Sequence, residues 1–312
     1  MPILLVVFMY GIWSSVFSLG KLALDHSPPL FLTAARMILA GALLLTFIAI
    51  TKPKTLKKVT GKQWISISIL ALFSIYLTNA LEFWSLQHLT AAKTCFIYSL
   101  CPFFAAILSY LHFGETMSPR KWLGMAVGFA GFVPVLMTQK GAGELLTSWS
   151  VLSWPELAMI GAAFCSVYGW IILRLLVKGD DTSPLLANGS SMLIGGLFAL
   201  IHSVISEPWT PLPVASGSWT PFIQGILVIT LISNLICYNL YGWLLKRFTA
   251  TFLSFMGLLS PIFASLHSWL FLGEIPSPTL FAGTAIVSFG LWLVYSAELK
   301  QGYAHPVEQA SV

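Results

Sequence analysis

The sequence is poor in charge: only 9% of its 312 residues are Asp, Glu, Lys or Arg, whereas 57% are hydrophobic. A soluble globular chain carries roughly 25% charged residues, so this composition excludes a soluble fold. The chain instead contains successive apolar runs of about 20 residues, the length that an α-helix needs to cross a bilayer. The composition therefore predicts an all-α polytopic membrane protein.

The sequence also lacks the patterns of common catalytic and metal-binding sites. Its four cysteines lie in apolar segments without zinc-ligand spacing, which is typical of free thiols that pack in a helix interface. The six histidines are scattered, and the sequence shows no phosphate-binding loop and no catalytic triad. We therefore predict no metal, no cofactor and no enzymatic activity, and the lack of an ATP-binding motif argues against a self-contained primary pump.

The apolar runs divide into ten predicted spans, five in each half. The first run has no basic n-region and no cleavage site, and it is too long for a signal-peptide core, so we interpret it as a membrane helix. The spans are Ile3–Leu24, Leu30–Ile50, Trp64–Ser85, Thr90–Leu111, Trp122–Met137, Trp154–Val177, Pro184–Ile205, Pro221–Leu244, Thr249–Phe271 and Thr279–Ala297.

Lys and Arg orient these spans, because cytoplasmic loops are enriched in both. With a cytoplasmic N-terminus, twelve of the 16 Lys and Arg residues fall in inner loops or at inner helix ends, and only Lys140 falls in an outer loop. The twelve are Lys52, Lys54, Lys57, Lys58, Lys62, Arg120, Lys121, Arg174, Lys178, Lys246, Arg247 and Lys300. Both termini are therefore predicted to be cytoplasmic, and the net charge of +5 gives no reason to expect nucleic acid as a partner.

The chain contains an internal repeat at an offset of 159 residues. Cys101–Glu115 recurs as Ser260–Glu274, and 12 of the 32 positions from Pro102 to Val133 are identical in the second copy. Five spans per copy carry the chain across the membrane, so the second copy is inverted relative to the first. Inverted repeats are typical of secondary transporters that bind substrate near the midplane. We predict repeats at residues 1–140 and 154–297, followed by a cytoplasmic tail at 298–312.

Three segments resemble motifs of the EamA family of the drug/metabolite transporter superfamily. Residues 10–21 (YGIWSSVFSLGK) resemble its first helix, WG-x-N/S-F-x-x-x-K, and residues 28–36 (PPLFLTAAR) resemble its second, P-x-x-x-x-x-x-R. Residues 80–133 follow its P…GE pattern, which the second copy repeats. The resemblance implies a ten-helix inverted-repeat carrier with a central cavity lined by helices 1, 3, 4, 6, 8 and 9. Family substrates include amino acids, nucleobases, polyamines, drugs and, in some intracellular bacteria, S-adenosylmethionine.

Candidate substrate-binding residues are aromatic and polar side chains on the helices that the family uses for its cavity. Aromatic faces beside amide groups suit an amphipathic solute with a planar or cationic part, whereas any one aromatic alone could serve ordinary helix packing. The candidates are Trp13, Ser14, Phe17, Tyr76, Asn79, Glu82, Lys93, Tyr98, Tyr168, Trp170, Asn234, Tyr238 and Tyr241. The last three are spaced by four and three residues, which places them on one face of an α-helix.

Lys21, Arg36, Glu82 and Lys93 are charged residues that lie inside the spans. A charge at the bilayer centre costs about 2.5–3.5 kcal/mol, so it is expected to face a cavity or a partner. We interpret Lys21 and Arg36 as snorkelling to the outer interface or as forming a structural pair. Glu82 and Lys93 have no charged counterpart in the second copy, so a cavity or gating role stands beside a structural one.

The repeated segment supplies hinge and scaffold candidates. Pro102 and Pro261 lie near the middle of predicted helices, where proline produces a kink. Glu115 and Glu274 follow glycine at a helix end, and we expect them to cap backbone amides at the start of the next helix. Five glycines are expected to allow close helix packing: Gly124, Gly128, Gly131, Gly283 and Gly290.

Together these features predict a secondary, alternating-access transporter of a small amphipathic metabolite, a multi-pass protein of the bacterial inner membrane. The favoured substrate is S-adenosylmethionine or a related nucleoside or amino-acid metabolite, and exchange is one mode of transport. An amino acid or drug exporter of the same superfamily is the alternative, and a membrane-embedded enzyme is a remote one. The expected partners are the substrate and the lipid bilayer, and the chain is expected to be a monomer or a weak homodimer.

Overall fold

The computed structural model describes residues 2–56, 59–89, 94, 97–137, 153–179, 182–260, 262–263, 266–267 and 278–303, and this part of the chain contains helices and no strands. The α-helices are α1 (Pro2–Trp13), α2 (Ser15–Leu24), α3 (Pro29–Thr51), α4 (Pro53–Leu56), α5 (Gly61–Leu70), α6 (Thr78–Leu86), α7 (Cys101–Phe113), α8 (Pro119–Met137), α9 (Trp154–Arg174), α10 (Pro184–Ser206), α11 (Trp219–Ile229), α12 (Tyr238–Leu244), α13 (Ala250–Met256) and α14 (Pro278–Lys300). Three π-helical segments continue α-helices: π1 (Ala71–Leu77), π2 (Leu175–Gly179) and π3 (Thr230–Cys237).

Within the described ranges, six helical stretches are long and apolar enough to cross a membrane. They are Pro29–Thr51, Gly61–Leu86, Trp154–Lys178, Pro184–Ser206, Trp219–Leu244 and Phe281–Lys300. Each coincides with a predicted span, so the all-α polytopic membrane class is confirmed. Shorter apolar helices at Ile3–Trp13, Cys101–Phe113 and Ala250–Leu259, together with α8, overlap the other four predicted spans.

The contacts group the chain into two compact units that interleave the two sequence copies. The first unit comprises Met1–Ser15, His88–Ile160 and Arg247–Val312, and the second comprises Val16–Gln87 and Gly161–Lys246. Each unit therefore takes helices from both halves of the sequence.

Glycines allow close packing of helices in the second unit, where α3 packs against α10 and α10 against π1. A Cβ atom added to Gly41 of α3 would lie 2.6 Å from the backbone nitrogen of Leu193 and 2.8 Å from the carbonyl oxygen of Gly189. A Cβ on Gly195 would lie 2.7 Å from the carbonyl oxygen of Ala71. Backbone atoms cannot move aside as a flexible side chain can, so these positions require glycine for close approach.

The first unit uses the glycines that the sequence predicted, between α8 and α14. A Cβ on Gly290 would lie 2.6 Å from the carbonyl oxygen of Gly124, and one on Gly131 would lie 2.9 Å from the carbonyl oxygen of Gly283. Gly128 lies against the ring of Phe255. The packing role of these glycines is confirmed.

The π-helical segments π1 and π3 occupy equivalent positions in the two sequence copies. Adding the repeat offset of 159 to the bounds of π1 gives residues 230–236, which is π3 apart from its last residue. Each segment is followed closely by an asparagine whose Nδ2 donates to carbonyl oxygens four and five residues back, from Asn79 to Ile75 and Ser74 and from Asn239 to Leu235 and Asn234. Interruptions of this kind inside α-helices occur frequently at functional sites.

Candidate functional site

Arg36 and Asn79 form the polar centre of the second unit. Arg36 is only 3% exposed, and its guanidinium donates a hydrogen bond to Asn79 Oδ1. The guanidinium carbon also lies 4.9 Å from the centroid of the Phe83 ring. The snorkelling considered for Arg36 is therefore wrong, because this side chain turns into the unit and is held by an amide and an aromatic face.

The orientation of the Asn79 side chain follows from its place just after π1. Its Nδ2 donates to the carbonyl oxygen of Ile75 at 2.7 Å, and Thr78 Oγ1 donates to the carbonyl oxygen of Phe73 at 2.8 Å. Because the amide nitrogen of Asn79 is bonded to its own helix, the amide oxygen faces the guanidinium. The π-helical segment thus fixes the acceptor that holds Arg36.

Tyr238 joins this centre from α12, at the end of π3. The side chains of Asn79, Arg36 and Glu82 all lie within electrostatic range of its hydroxyl. Glu82 is half-buried and lies three residues after Asn79 on α6, so the two residues are on the same side of the helix. The arrangement places a cation, a carboxylate, an amide and a phenol together within one compact unit.

An aromatic cluster adjoins these polar groups. The Trp170 ring centroid lies 4.2 Å from that of Tyr241 and 5.1 Å from that of Tyr238. All three side chains are buried, and the pairs are tilted by 33° and 51°. The three rings therefore contact one another at the distances that favour aromatic pairs.

Asn188 of α10 forms hydrogen bonds next to this cluster, and it was not among the predicted residues. Its Nδ2 donates to the carbonyl oxygen of Tyr238 at 2.9 Å and to Asn239 Oδ1 at 3.1 Å. The side chain is 1% exposed. A single amide inside a long apolar run was the available signal, because such a group needs a partner when it is buried in a membrane.

Three predicted residues of the second unit contact other helices. The Tyr76 hydroxyl pairs with His202 Nδ1 at 2.9 Å, and the Tyr168 ring centroid lies 4.8 Å from that of Phe73. Asn234 is fully buried and donates to Met37 Sδ at 3.0 Å, whereas Tyr238 and Tyr241 contact Trp170. Asn234 lies in π3, where hydrogen bonds join residues five positions apart. The spacing of an α-helix therefore does not predict the direction in which its side chain points.

The remaining predicted binding residues lie in the first unit or outside the described residues. The Trp13 ring stacks on Tyr10 at 6.1 Å, Ser14 Oγ donates to the carbonyl oxygen of Gly11 at 2.8 Å, and Tyr98 is half-buried. Lys93, Pro261, Glu274 and the side chains of Phe17 and Lys21 lie outside the described residues.

The repeated motif is described in its first copy only. Pro102 lies in the first turn of α7, after a turn at Ser99 and Leu100, rather than inside a continuous helix. Proline fits there because the first turn of a helix leaves its N–H groups without an intrahelical acceptor. Gly114 ends α7 with φ of 65°, and Glu115 is buried. The amide of Lys121 in the next helix donates to Ser118 Oγ at 3.3 Å, and the hinge role of Pro102 and the capping role of Glu115 stay predictions.

The sequence is similar to those of known membrane transporters. The EamA-like transporter family matches residues 1–137 and 153–296. The S-adenosylmethionine/S-adenosylhomocysteine transporter of Chlamydia muridarum (strain MoPn / Nigg) is 39% identical over 305 residues, which are 97% of this chain and 94% of that protein.

Two further comparisons extend this result. The uncharacterized inner membrane transporter YedA of Escherichia coli (strain K12) is 26% identical, with coverage of 92% of this chain and 88% of that protein. One crystal structure with 19% sequence identity aligns with 95% of this chain and 97% of its own at a TM-score of 0.71, a likeness that concerns the fold alone. The family matches account for most of both halves, and this chain belongs to the EamA-like transporter family.

Proposed function

We propose that this protein transports S-adenosylmethionine and S-adenosylhomocysteine across the bacterial inner membrane. The observation that carries the proposal is the 39% identity to the Chlamydia muridarum transporter over nearly the full length of both chains. The Chlamydia trachomatis serovar L2 protein of the same name is also 39% identical over 97% of this chain. The inner membrane is proposed from the name of the Escherichia coli relative.

The proposed topology has ten spans in two inverted repeats, residues 1–140 and 154–297, with both termini in the cytoplasm. The uneven distribution of Lys and Arg supports it. The overlap of the ten predicted spans with six long apolar helices, three shorter ones and α8 supports it as well. Inverted repeats of this kind work by alternating access, in which a central site opens to one side of the membrane at a time. The protein is on this view a carrier and not an enzyme.

The proposed substrate site includes the cluster of the second unit formed by Asn79, Glu82, Trp170, Tyr238 and Tyr241. Both proposed substrates carry a planar adenine, for which the Trp170 and Tyr241 faces are suitable partners. Both also carry an α-amino and an α-carboxylate group, which need charged or amide partners when they leave water. The binding roles of the other predicted residues, including Trp13, Ser14 and Tyr98 of the first unit, stay predictions.

Exchange in proteoliposomes tests this function. We expect saturable uptake of labelled S-adenosylmethionine that is accelerated by unlabelled S-adenosylhomocysteine on the inside. Amino acids and nucleosides, used as competitors, separate this function from that of an amino acid exporter. Liposomes without protein give the leak rate, and uptake that never saturates and shows no acceleration by internal substrate would refute the proposal.

A further inference from the structure

Arg36 is a buried cation in the substrate cluster, where it lies with Asn79, Phe83 and Tyr238. An arginine inside a membrane span costs several kcal/mol unless it faces a partner or a cavity, so such residues are usually functional. The Asn79 amide and the Phe83 ring hold the guanidinium in place. The Asn79 amide is itself tied to the carbonyl oxygen of Ile75. The cation is therefore preorganised before any ligand binds.

The two proposed substrates constrain what such a cation recognises; this step rests on the proposed function. S-adenosylmethionine carries a methyl group and a positive charge on sulfur, whereas S-adenosylhomocysteine carries neither. A carrier that exchanges one for the other cannot draw much of its affinity from the sulfonium. It must instead bind the groups that the two molecules share, which are the adenosine and the zwitterionic amino-acid end.

We propose that Arg36 binds the α-carboxylate of the substrate and thereby selects for ligands with an amino-acid end. A guanidinium presents its donors in a planar fork that matches a carboxylate, and such charge-assisted contacts are strong away from water. Tyr238 lies next to both groups, because its ring centroid is 5.1 Å from that of Trp170 and its hydroxyl is within electrostatic range of Arg36. A ligand that spans Tyr238 would place its carboxylate at Arg36 and its adenine at Trp170.

Decarboxylated S-adenosylmethionine is the probe for this contact, because it differs from S-adenosylmethionine by the carboxylate alone. We expect the wild-type protein to bind it roughly 10- to 100-fold more weakly than S-adenosylmethionine, as measured by competition for uptake in proteoliposomes. In Arg36→Gln the two compounds should compete almost equally, because only the carboxylate-bearing compound loses a contact. In Arg36→Lys, which keeps the charge without the fork, the preference should be intermediate.

Arg120→Gln is the matched control, since Arg120 lies in the first unit with its guanidinium 5.4 Å from the ring centroid of Trp292. This variant should keep the full preference for the carboxylate.

If the wild-type protein exchanges S-adenosylmethionine but accepts the decarboxylated compound equally well, the assignment of Arg36 is wrong and the proposed function stands. An Arg36→Gln protein with lowered thermal stability and an unchanged preference also overturns it. If Arg36→Gln does not fold, the relative affinity of the wild-type protein for the two compounds is the test. Absence of exchange in the wild type refutes the proposed function itself.

Discussion

Lys121 and Glu298 form an ion pair in the first unit, with 3.2 Å between Nζ and Oε1 and side chains that are 2% and 0% exposed. Thr249 donates to the same carboxylate oxygen at 2.5 Å and accepts from the amide of Phe252 at 3.0 Å. The ammonium also lies 4.7 Å from the Tyr303 ring centroid. One ion pair thus joins α8, the start of α13 and the last turn of α14.

Glu298→Gln should strongly destabilise the protein, because Lys121 would keep its buried charge without a carboxylate beside it. Removing one member of a buried pair typically costs about 3–5 kcal/mol. The free energy of unfolding, measured by denaturant titration in detergent, is the readout. The double variant Lys121→Met, Glu298→Leu should recover most of the loss, since it leaves no unpaired charge. Equal stability of Glu298→Gln and wild type would contradict this account.

Glu207 caps helix α3 from the end of α10. Its two carboxylate oxygens accept hydrogen bonds from the amides of Leu30 and Phe31 at 2.7 and 2.9 Å, and Ser203 Oγ donates to it at 2.6 Å. The residue at the cap position of α3 is Pro28, whose side chain cannot accept a hydrogen bond, so Glu207 supplies the acceptor from another helix.

Glu207→Ala should therefore cost about 1–2 kcal/mol, the usual effect of losing a helix cap. Hydrogen exchange at Leu30 and Phe31 should accelerate with it, while exchange in the middle of α3 should change little. Asp25→Ala at an exposed position nearby is the control and should leave both quantities unchanged. Unaltered exchange at the two amides in Glu207→Ala would show that the cap contributes nothing.

Gly41→Ala should loosen the contact between α3 and α10. The new methyl group would meet backbone atoms of Gly189 and Leu193 at less than 3.0 Å, so the helices must separate. Overpacking of this kind typically costs about 1–3 kcal/mol, to be read from thermal unfolding. Gly61→Ala adds the same methyl group where nothing lies within 4 Å, and it should be neutral or slightly stabilising. Similar effects of the two substitutions would disprove the close-packing explanation.

The sequence predicted the helical class and the packing glycines because both depend on local composition and on a repeat that can be read directly. It could not predict the partners of single polar residues. Glu298 belongs to the short polar tail by composition, yet it is the buried partner of Lys121, a residue counted as a loop cation. Such a pairing joins residues 177 positions apart, and no local pattern records it.

In the candidate site, too, the sequence predicted residue types but not the partners of single polar residues. Trp170, Tyr238 and Tyr241 were chosen by residue type and helix, and the structure brings them together. Arg36 was interpreted as snorkelling or as forming a structural pair, and its burial against Asn79 and Phe83 of another helix could not be read from local sequence. Asn234 was grouped with Tyr238 by α-helical spacing, which the π-helical segment does not follow.

Trp170→Leu should weaken substrate binding. Stacking of a base on an aromatic side chain is worth about 1–3 kcal/mol, which corresponds to a rise in KM of roughly 5- to 150-fold. Trp170→Phe should retain much of the affinity, because it keeps a ring in place. Trp84 is 39% exposed in the same unit, and Trp84→Leu is the control that should leave KM unchanged. A Trp170→Leu protein with wild-type KM for S-adenosylmethionine would remove the aromatic cluster from the binding site.

The inverted topology predicts which loops face the cytoplasm. We expect Lys62→Cys and Lys300→Cys, each in a protein without its native cysteines, to react with a membrane-impermeant maleimide only after the cells are permeabilised. Ser216→Cys, in the segment between α10 and α11, should react in intact cells. All three positions lie in the described residues and outside the core, so burial does not mask them.

The comparison of positions 62 and 216 decides the inversion, because it does not depend on which side the N-terminus occupies. Five predicted spans separate these two positions, and an odd number must place them on opposite sides. If both react in intact cells, or neither does, an even number of spans lies between them. The two copies would then have the same orientation, and exchange of conformations between inverted halves could not produce alternating access.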